Sequence, residues 1–372
     1  MYNIAFIGGG INSAIGRTHK ISCQMDGRFR LVAGAFSRHK DINTRTGQEF
    51  GVDTSRVYDD YREMLIKEKE NVDIIAVLTP TNTHERIVMD VIEAGYPVIC
   101  EKSLATSAES GKKICEAAND KESFLCVTYN YTGYPVIRML RQMIKKGELG
   151  KINKIVAHMP QEGFIRYTAD GKIPSPQEWR LSDYEIPTIS LDLGTHLHNM
   201  IYFLTGEKPL EIVSQESTYG FFEDVVDDVS CMIKYTSDIS AHMWFSKAAL
   251  GHRNGLRIKV YGSEKAAEWY QLEPELLRVF DKHGCTSIID RSNNSEIGLD
   301  ERYNRFKIGH PAGFIEAFAN YYSDIYDMFT EYKKTGRYIS EYICSADASV
   351  EGLKMFETAH SSSLDNEWKK IL

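Results

Sequence analysis

Over the first third of the chain, short apolar runs alternate with stretches whose apolar positions recur every three or four residues. The runs are "YNIAFIG", "RFRLVAGAFS", "VDIIAVLTP", "PVICEK" and "FLCVTYN". They are rich in β-branched residues and end in glycine, proline or polar residues, as expected of strands covered on both faces. Between them, helical spacing predicts helices at Ala14 to Met25, over a polar segment after Ser37, at His84 to Ala94 and around Ser107 to Asn119. Strands that alternate with helices of this length imply right-handed crossovers and a doubly wound parallel sheet.

The rhythm changes near Tyr131. A helical piece runs to Lys146 and is followed by "GKINKIVAHM", a proline-containing loop through Trp179 and a helix near Gly194 to Leu204. The later runs "VVDDVSCMIKY", "DISAHMWFS" and "GLRIKVYGS", punctuated by Gly and Ser, predict a largely antiparallel sheet. From His310 the pattern returns to helix, with an aromatic stripe at Phe314, Phe318 and Tyr322 expected to serve packing. The expected fold is therefore α/β: an N-terminal Rossmann doubly wound parallel sheet plus a C-terminal α+β domain with a largely antiparallel open sheet. The boundaries drawn from the pattern are 1–129 for the dinucleotide-binding domain, 130–340 for substrate binding and oligomerisation, and 341–372 for a C-terminal helical segment.

Composition narrows the function. At 372 residues the chain exceeds what one core comfortably serves. A net charge of −8 argues against a nucleic-acid partner, which calls for a basic face. No apolar run approaches the ~20 residues of a membrane span, and "YNIAFIGGG" starts without a signal-peptide pattern, so the expected location is cytoplasmic, with no membrane partner. The seven cysteines are scattered and lack metal-ligand spacing, so reduced thiols and no metal site are expected.

In doubly wound sheets ligands bind beyond the carboxyl ends of the strands, which directs attention to the residues following each apolar run. After the first run, "GGGINSAIG" places Gly8 and Gly10 where a dinucleotide loop needs a tight turn and a close approach to pyrophosphate. The third position of the usual spacing is Ser13, and the next glycine is Gly16. Either Ser13 stands in for the packing glycine, or three additional residues pass that part to Gly16. Gly8, Gly10, Ile11, Asn12 and Ser13 are the candidate cofactor contacts in this loop. Where NAD proteins carry an acid for the ribose, "AFSRH" offers Ser37 and Arg38, and Arg suits a 2′-phosphate, so NAD and NADP both stay open. Thr79, Asn82 and His84 follow the third run as cofactor contacts or helix caps. Glu101 and Lys102 end the fourth, where the lysine either pairs with the acid or, if desolvated, acts in the chemistry. Asn130, Tyr131, Trp179 and Arg180 offer hydrogen bonds and stacking to a sugar ring.

Taken in order, "GGGINSAIGRTH", "TPTNTH", "EKS", "DLGTHLHN" and the looser "TYNYTGYPVIRMLRQMIKKGELGKI" make the sequence resemble the Gfo/Idh/MocA family of sugar and polyol dehydrogenases over nearly its whole length. The resemblance implies that Lys102, Asp192 and His196 line the site beside a nicotinamide, with Asn199 completing the motif. Ser103 departs from it by standing where proline is usual. In that setting His196 is the expected base, since histidine as a residue type titrates near neutrality, Asp192 orients it or binds a neighbouring hydroxyl, and Lys102 polarises the oxygen or shares the proton. The implied activity is NAD(P)-dependent hydride transfer to or from a secondary alcohol of a sugar, glycoside or inositol. The alternatives are an NAD-dependent glycosidase working by transient oxidation and elimination, and a catalytically silent cofactor-binding regulator. The resemblance also implies a homo-oligomer, dimer or tetramer.

Overall fold

The computed structural model describes residues 1–293 and 295–372. Its backbone divides into two compact units: Met1–Ala105, Glu109–Gly133 and Phe314–Val350 form the first, and Thr106–Ala108, Tyr134–Gly313 and Glu351–Leu372 the second.

The first unit is built on five strands: β1 (Tyr2–Gly8), β2 (Phe29–Ala35), β3 (Ile74–Leu78), β4 (Val98–Glu101) and β5 (Leu125–Thr128). All pair in parallel in the order β2-β1-β3-β4-β5. The connecting helices are α1 (Gly16–Gln24), α2 (Lys40–Phe50), α3 (Tyr61–Lys67), α4 (His84–Glu93) and α5 (Ala108–Asp120). β3 and β4 are buried along their whole length, which is why their sequences read as unbroken apolar runs. The strand order reverses between β1 and β3, and the mouth of such a switch point is where an open α/β sheet binds its ligand.

The aromatic stripe of the helix Phe314–Thr335 belongs to this unit. Phe318, Tyr321, Tyr322, Ile325 and Phe329 share one core with Ile4, Phe6, Phe29 and Phe124. This differs from the division at 130–340 and 341–372, which followed chain order. Helical periodicity shows that a face must be buried but does not say against which partner.

The second unit carries α6 (Pro135–Lys145), α7 (Thr195–Thr205) and strands β6 (Ile152–Pro160), β7 (Pro209–Ser217), β8 (Asp228–Tyr235), β9 (Ser240–Ser246), β10 (Arg257–Gly262), β11 (Lys265–Tyr270), β12 (Leu277–Asp281), β13 (Thr286–Ile289) and β14 (Lys369–Lys370). They form one sheet in the order β13-β12-β11-β10-β6-β9-β8-β7-β14. Only β6 and β9 pair in parallel; every other neighbour is antiparallel. One face buries Ile155, Met243, Phe245, Ile258, Val260 and Trp269. The cross-strand partners Met232, His242, Val156, Lys259, Glu268, Arg278 and Ile288 form a row on the other face. This alternation is what the period-two runs predict.

Candidate active site

The glycine turn after β1 resolves the choice between Ser13 and Gly16. α1 begins only at Gly16, and a Cβ there would lie 1.8 Å from the carbonyl oxygen of Gly9. Gly16 therefore lets the helix close on the turn, and residues 11–15 lengthen the loop. Gly8, with φ +83°, leaves the strand beside Leu78 of β3, whose backbone carbonyl would be 2.8 Å from an added Cβ. Within the loop, Ile11 N–H donates to the Thr46 hydroxyl at 3.1 Å and Ser13 N–H to Gly10 O at 2.7 Å. Asn12 is exposed. A turn free of side chains at Gly8, Gly9 and Gly10 that opens a helix fits a pyrophosphate, which approaches backbone amides and the positive end of the helix. After β2, the Ser37 hydroxyl accepts from His39 N–H at 3.1 Å, and Arg38 is exposed.

Two of the anticipated cofactor contacts prove to be committed within the protein. Both nitrogens of the fully buried His84 lie against backbone carbonyls, Nδ1 2.7 Å from Ser103 O and Nε2 2.8 Å from Thr79 O. Burial pushes its pKa down, against the pull of those carbonyls. It ties the turn after β3 to the turn after β4, and α4 has no side-chain cap. The buried Glu101 carboxylate accepts from His19 Nε2 at 3.0 Å and from the Thr128 hydroxyl, and His19 Nδ1 is 2.6 Å from the Tyr322 hydroxyl. Burial pushes the Glu101 carboxyl up, but the hydrogen bond and charge of His19, the charge of Lys102 and the Thr128 bond outweigh it and hold it below the ordinary range. Lys102, partly buried, thus sits between two anchored neighbours; its peptide bond to Ser103 is cis. Thr79 accepts from the Thr83 hydroxyl at 2.8 Å, and Asn82 is exposed. Tyr131 is buried against Phe314, with ring centroids 5.8 Å apart, and serves packing in the first unit. Asn130 is buried with no hydrogen-bond partner for Nδ2 among the described residues.

In the second unit, Asp192 lies on a wide π-type turn, Ser190–Gly194, that runs directly into α7. Such turns are common at functional sites because they re-aim side chains out of helical register. The Thr195 hydroxyl donates to Leu191 O at 2.8 Å, and Gly194 lets Phe356 and Phe245 close on the backbone, since a Cβ would meet their rings at 2.6 and 2.9 Å. His196 and Asn199, three residues apart, share a face of α7, Asp192 precedes them on the wide turn, and all three are buried. His198 points elsewhere, against Gly352 and the ring of Tyr202. The Arg180 guanidinium lies over the Trp179 ring at 4.8 Å, and its Nε is 3.3 Å from Asp192 Oδ2, an ion pair whose angle makes no hydrogen bond.

Sequence reasoning missed a cation in contact with Asp192. Lys247 Nζ lies 2.6 Å from Oδ2, inside the unit and almost wholly buried. The available signal was a lysine immediately after the apolar run "HMWFS", the same position at a strand end that singled out Lys102. Among the described residues, no group of three or more His, Cys, Asp or Glu is placed to hold a metal, and no helix is long and apolar enough to cross a membrane.

Residues 2–129 match the oxidoreductase family with an NAD-binding Rossmann fold, and residues 137–268 match the GFO/IDH/MocA C-terminal domain. The uncharacterized oxidoreductase YfiI of Bacillus subtilis is 28% identical over 96% of this chain and 94% of its own. The levoglucosan dehydrogenase of Pseudarthrobacter phenanthrenivorans is 24% identical over 75% of this chain and 76% of its own. Among solved structures, the inositol dehydrogenase homolog from Azotobacter vinelandii, complexed with NADH and myo-inositol, superposes with a TM-score of 0.88 at 26% identity, covering 99% of this chain and 97% of that one. With both halves matched and the glycine turn fitted to a dinucleotide, the chain belongs to the Gfo/Idh/MocA family, as an NAD-binding oxidoreductase.

Proposed function

We propose that the protein is a cytoplasmic NAD(P)-dependent dehydrogenase that oxidises a secondary hydroxyl of a sugar, glycoside or inositol, or reduces the matching ketone. The observation that carries this reading is the buried face Asp192–His196–Asn199, in a family whose relatives include a levoglucosan dehydrogenase and a homolog bound to myo-inositol. A row of an acid, an imidazole and an amide suits a ring with adjacent hydroxyls, each of which needs its own partner.

A bound nicotinamide would supply the acceptor for the carbinol hydride. The glycine turn would hold it, with Thr79 and Asn82 contributing after β3. His196 takes the hydroxyl proton, imidazole being a neutral nitrogen base that can accept it. Asp192 orients that imidazole or accepts from a neighbouring hydroxyl. Lys102 donates to the reacting oxygen, stabilising negative charge as the proton leaves. Trp179 and Arg180 form a wall for the ring, and Asn199 binds a further hydroxyl. Self-association belongs to the same proposal, with the open outer face of the nine-stranded sheet as the surface offered to a second copy. Light scattering on the purified protein reads it as a mass that is a multiple of the 42.4 kDa chain.

The test is to follow nicotinamide absorbance and products together while presenting inositols, free sugars and glycosides with each cofactor. Net reduction of the cofactor supports the proposal. Aglycone release with no net change in cofactor would replace it with the glycosidase reading. In Lys102→Ala and in His196→Ala, turnover should fall by about two to four orders of magnitude while NADH affinity stays near wild type. Unchanged turnover in both would refute the roles assigned.

A further inference from the structure

We propose that Lys247 is a positioning residue that keeps Asp192 permanently ionised, so that Asp192 acts only as a hydrogen-bond acceptor and the substrate proton passes to His196. The inference rests on the function proposed above and limits Asp192 to the acceptor roles named there.

Lys247 directly follows β9, and its backbone is fixed on both sides. Its N–H donates to Asp227 O at 2.7 Å, and its carbonyl accepts from Phe164 N–H at 2.8 Å. The side chain runs inward, with the ammonium 4.9 Å from the Phe164 ring centroid and 2.6 Å from Asp192 Oδ2. The same strand end braces the turn that carries the acid, since the Phe245 ring, two residues before Lys247, closes on Gly194. One element thus sets both the location of Asp192 and the charge beside it.

The charge state follows from the pairing. A lysine buried alone sheds its proton, whereas a carboxylate in contact keeps both partners charged. Arg180, which stays protonated in any protein, brings a second cation to the same oxygen. A carboxylate facing two cations is a weak base, and in its ionised form it offers lone pairs only. It can therefore hold a donor, either an imidazole N–H or a substrate hydroxyl, but it is poorly suited to carry the proton released by oxidation.

The test compares full-length Lys247→Met, Lys247→Arg, Asp192→Asn and the Lys247→Met/Asp192→Asn double variant. In thermal unfolding without substrate, Lys247→Met is expected to be less stable than the double variant at neutral pH, because it alone keeps the buried carboxylate while removing the ammonium that lay 2.6 Å from it. It should recover as pH falls, when that carboxyl takes a proton. In turnover, loss of the cation should raise the acid limb of the kcat/KM profile by about one pH unit or more, because with one positive charge fewer beside it the Asp192 and His196 pair takes up a proton at higher pH. Lys247→Arg should retain the wild-type limb, and NADH affinity should be unchanged in both. A folded Lys247→Met protein with a wild-type acid limb, or additive effects of the two substitutions on melting, overturns the inference. Coupled melting in a protein that oxidises no carbohydrate overturns the proposed function and leaves the charge state of Asp192 standing.

Discussion

Gly16→Ala is the sharpest probe of the lengthened loop. An added Cβ would sit 1.8 Å from Gly9 O, 2.4 Å from Gly9 C and 2.8 Å from Gly9 Cα. A carbon and an oxygen in contact need roughly 3.3 Å, so the turn or α1 must move by about 1.5 Å. The obstacle is backbone, so no side-chain rotation relieves it. Alanine also gains about 0.5–1 kcal/mol over glycine as a helix former, and this first helical position offers part of that. Overpacking costs about 1–3 kcal/mol, occasionally more, so the balance is destabilising. For a domain of roughly 150–250 residues each kcal/mol lowers Tm by about 2–4 °C, which predicts a loss of up to about 12 °C for the first unit. Because the displaced backbone is the pyrophosphate turn, NADH affinity should fall along with stability. Calorimetry and NADH fluorescence titration measure the two effects. Gly163→Ala, at a position with nothing within 4 Å of the new Cβ, is the control for the substitution itself. A Gly16→Ala protein that melts and binds NADH like wild type would refute the packing argument.

Two further outcomes follow from the first unit. If Arg38 grips a 2′-phosphate, Arg38→Ala should raise KM for NADP by about tenfold or more and leave KM for NAD unchanged, the loss expected for a charged hydrogen bond. Equal changes for both cofactors would remove Arg38 from cofactor recognition. Glu101 has a folded pKa held below the ordinary glutamate value of about 4.5, so its contribution to stability is complete above that value and is lost as pH falls through the lower, folded pKa. The melting difference between wild type and Glu101→Gln should therefore shrink as the pH is taken below about 4.5. A difference constant down to pH 3 would show that the carboxylate charge is not what stabilises the network.

Much of the fold was legible because burial on both faces leaves a plain mark. The runs at β3 and β4 are apolar throughout, and the crossover helices between them have their own period, so a parallel sheet was the consistent outcome. The period-two runs of β8, β9 and β10 likewise indicated one covered face. α3 was not anticipated: it is seven residues long, too short for its spacing to stand out. Its signal was local, an Asp60 side chain that accepts from Arg62 N–H at 2.8 Å.

The site was legible in part. Spacing alone put His196 and Asn199 on one face, because the helical period is fixed by the backbone, whereas Asp192 was marked by the family motif. It could not show that His84 and Glu101 spend their polar atoms on Ser103, Thr79, His19 and Thr128, since those partners come from other strands and helices. Nor could it bring Lys247 to Asp192 across 55 positions of chain. The sequence by itself determined what is local and periodic: the strand and helix alternation, the glycine turn, and the order of chemically capable residues along the chain. Tertiary structure alone decided which glycine lets α1 close on the turn, which core receives the helix Phe314–Thr335, and which cation lies against the acid. Those outcomes depend on distances between segments remote in sequence, and neither propensity nor period encodes such distances.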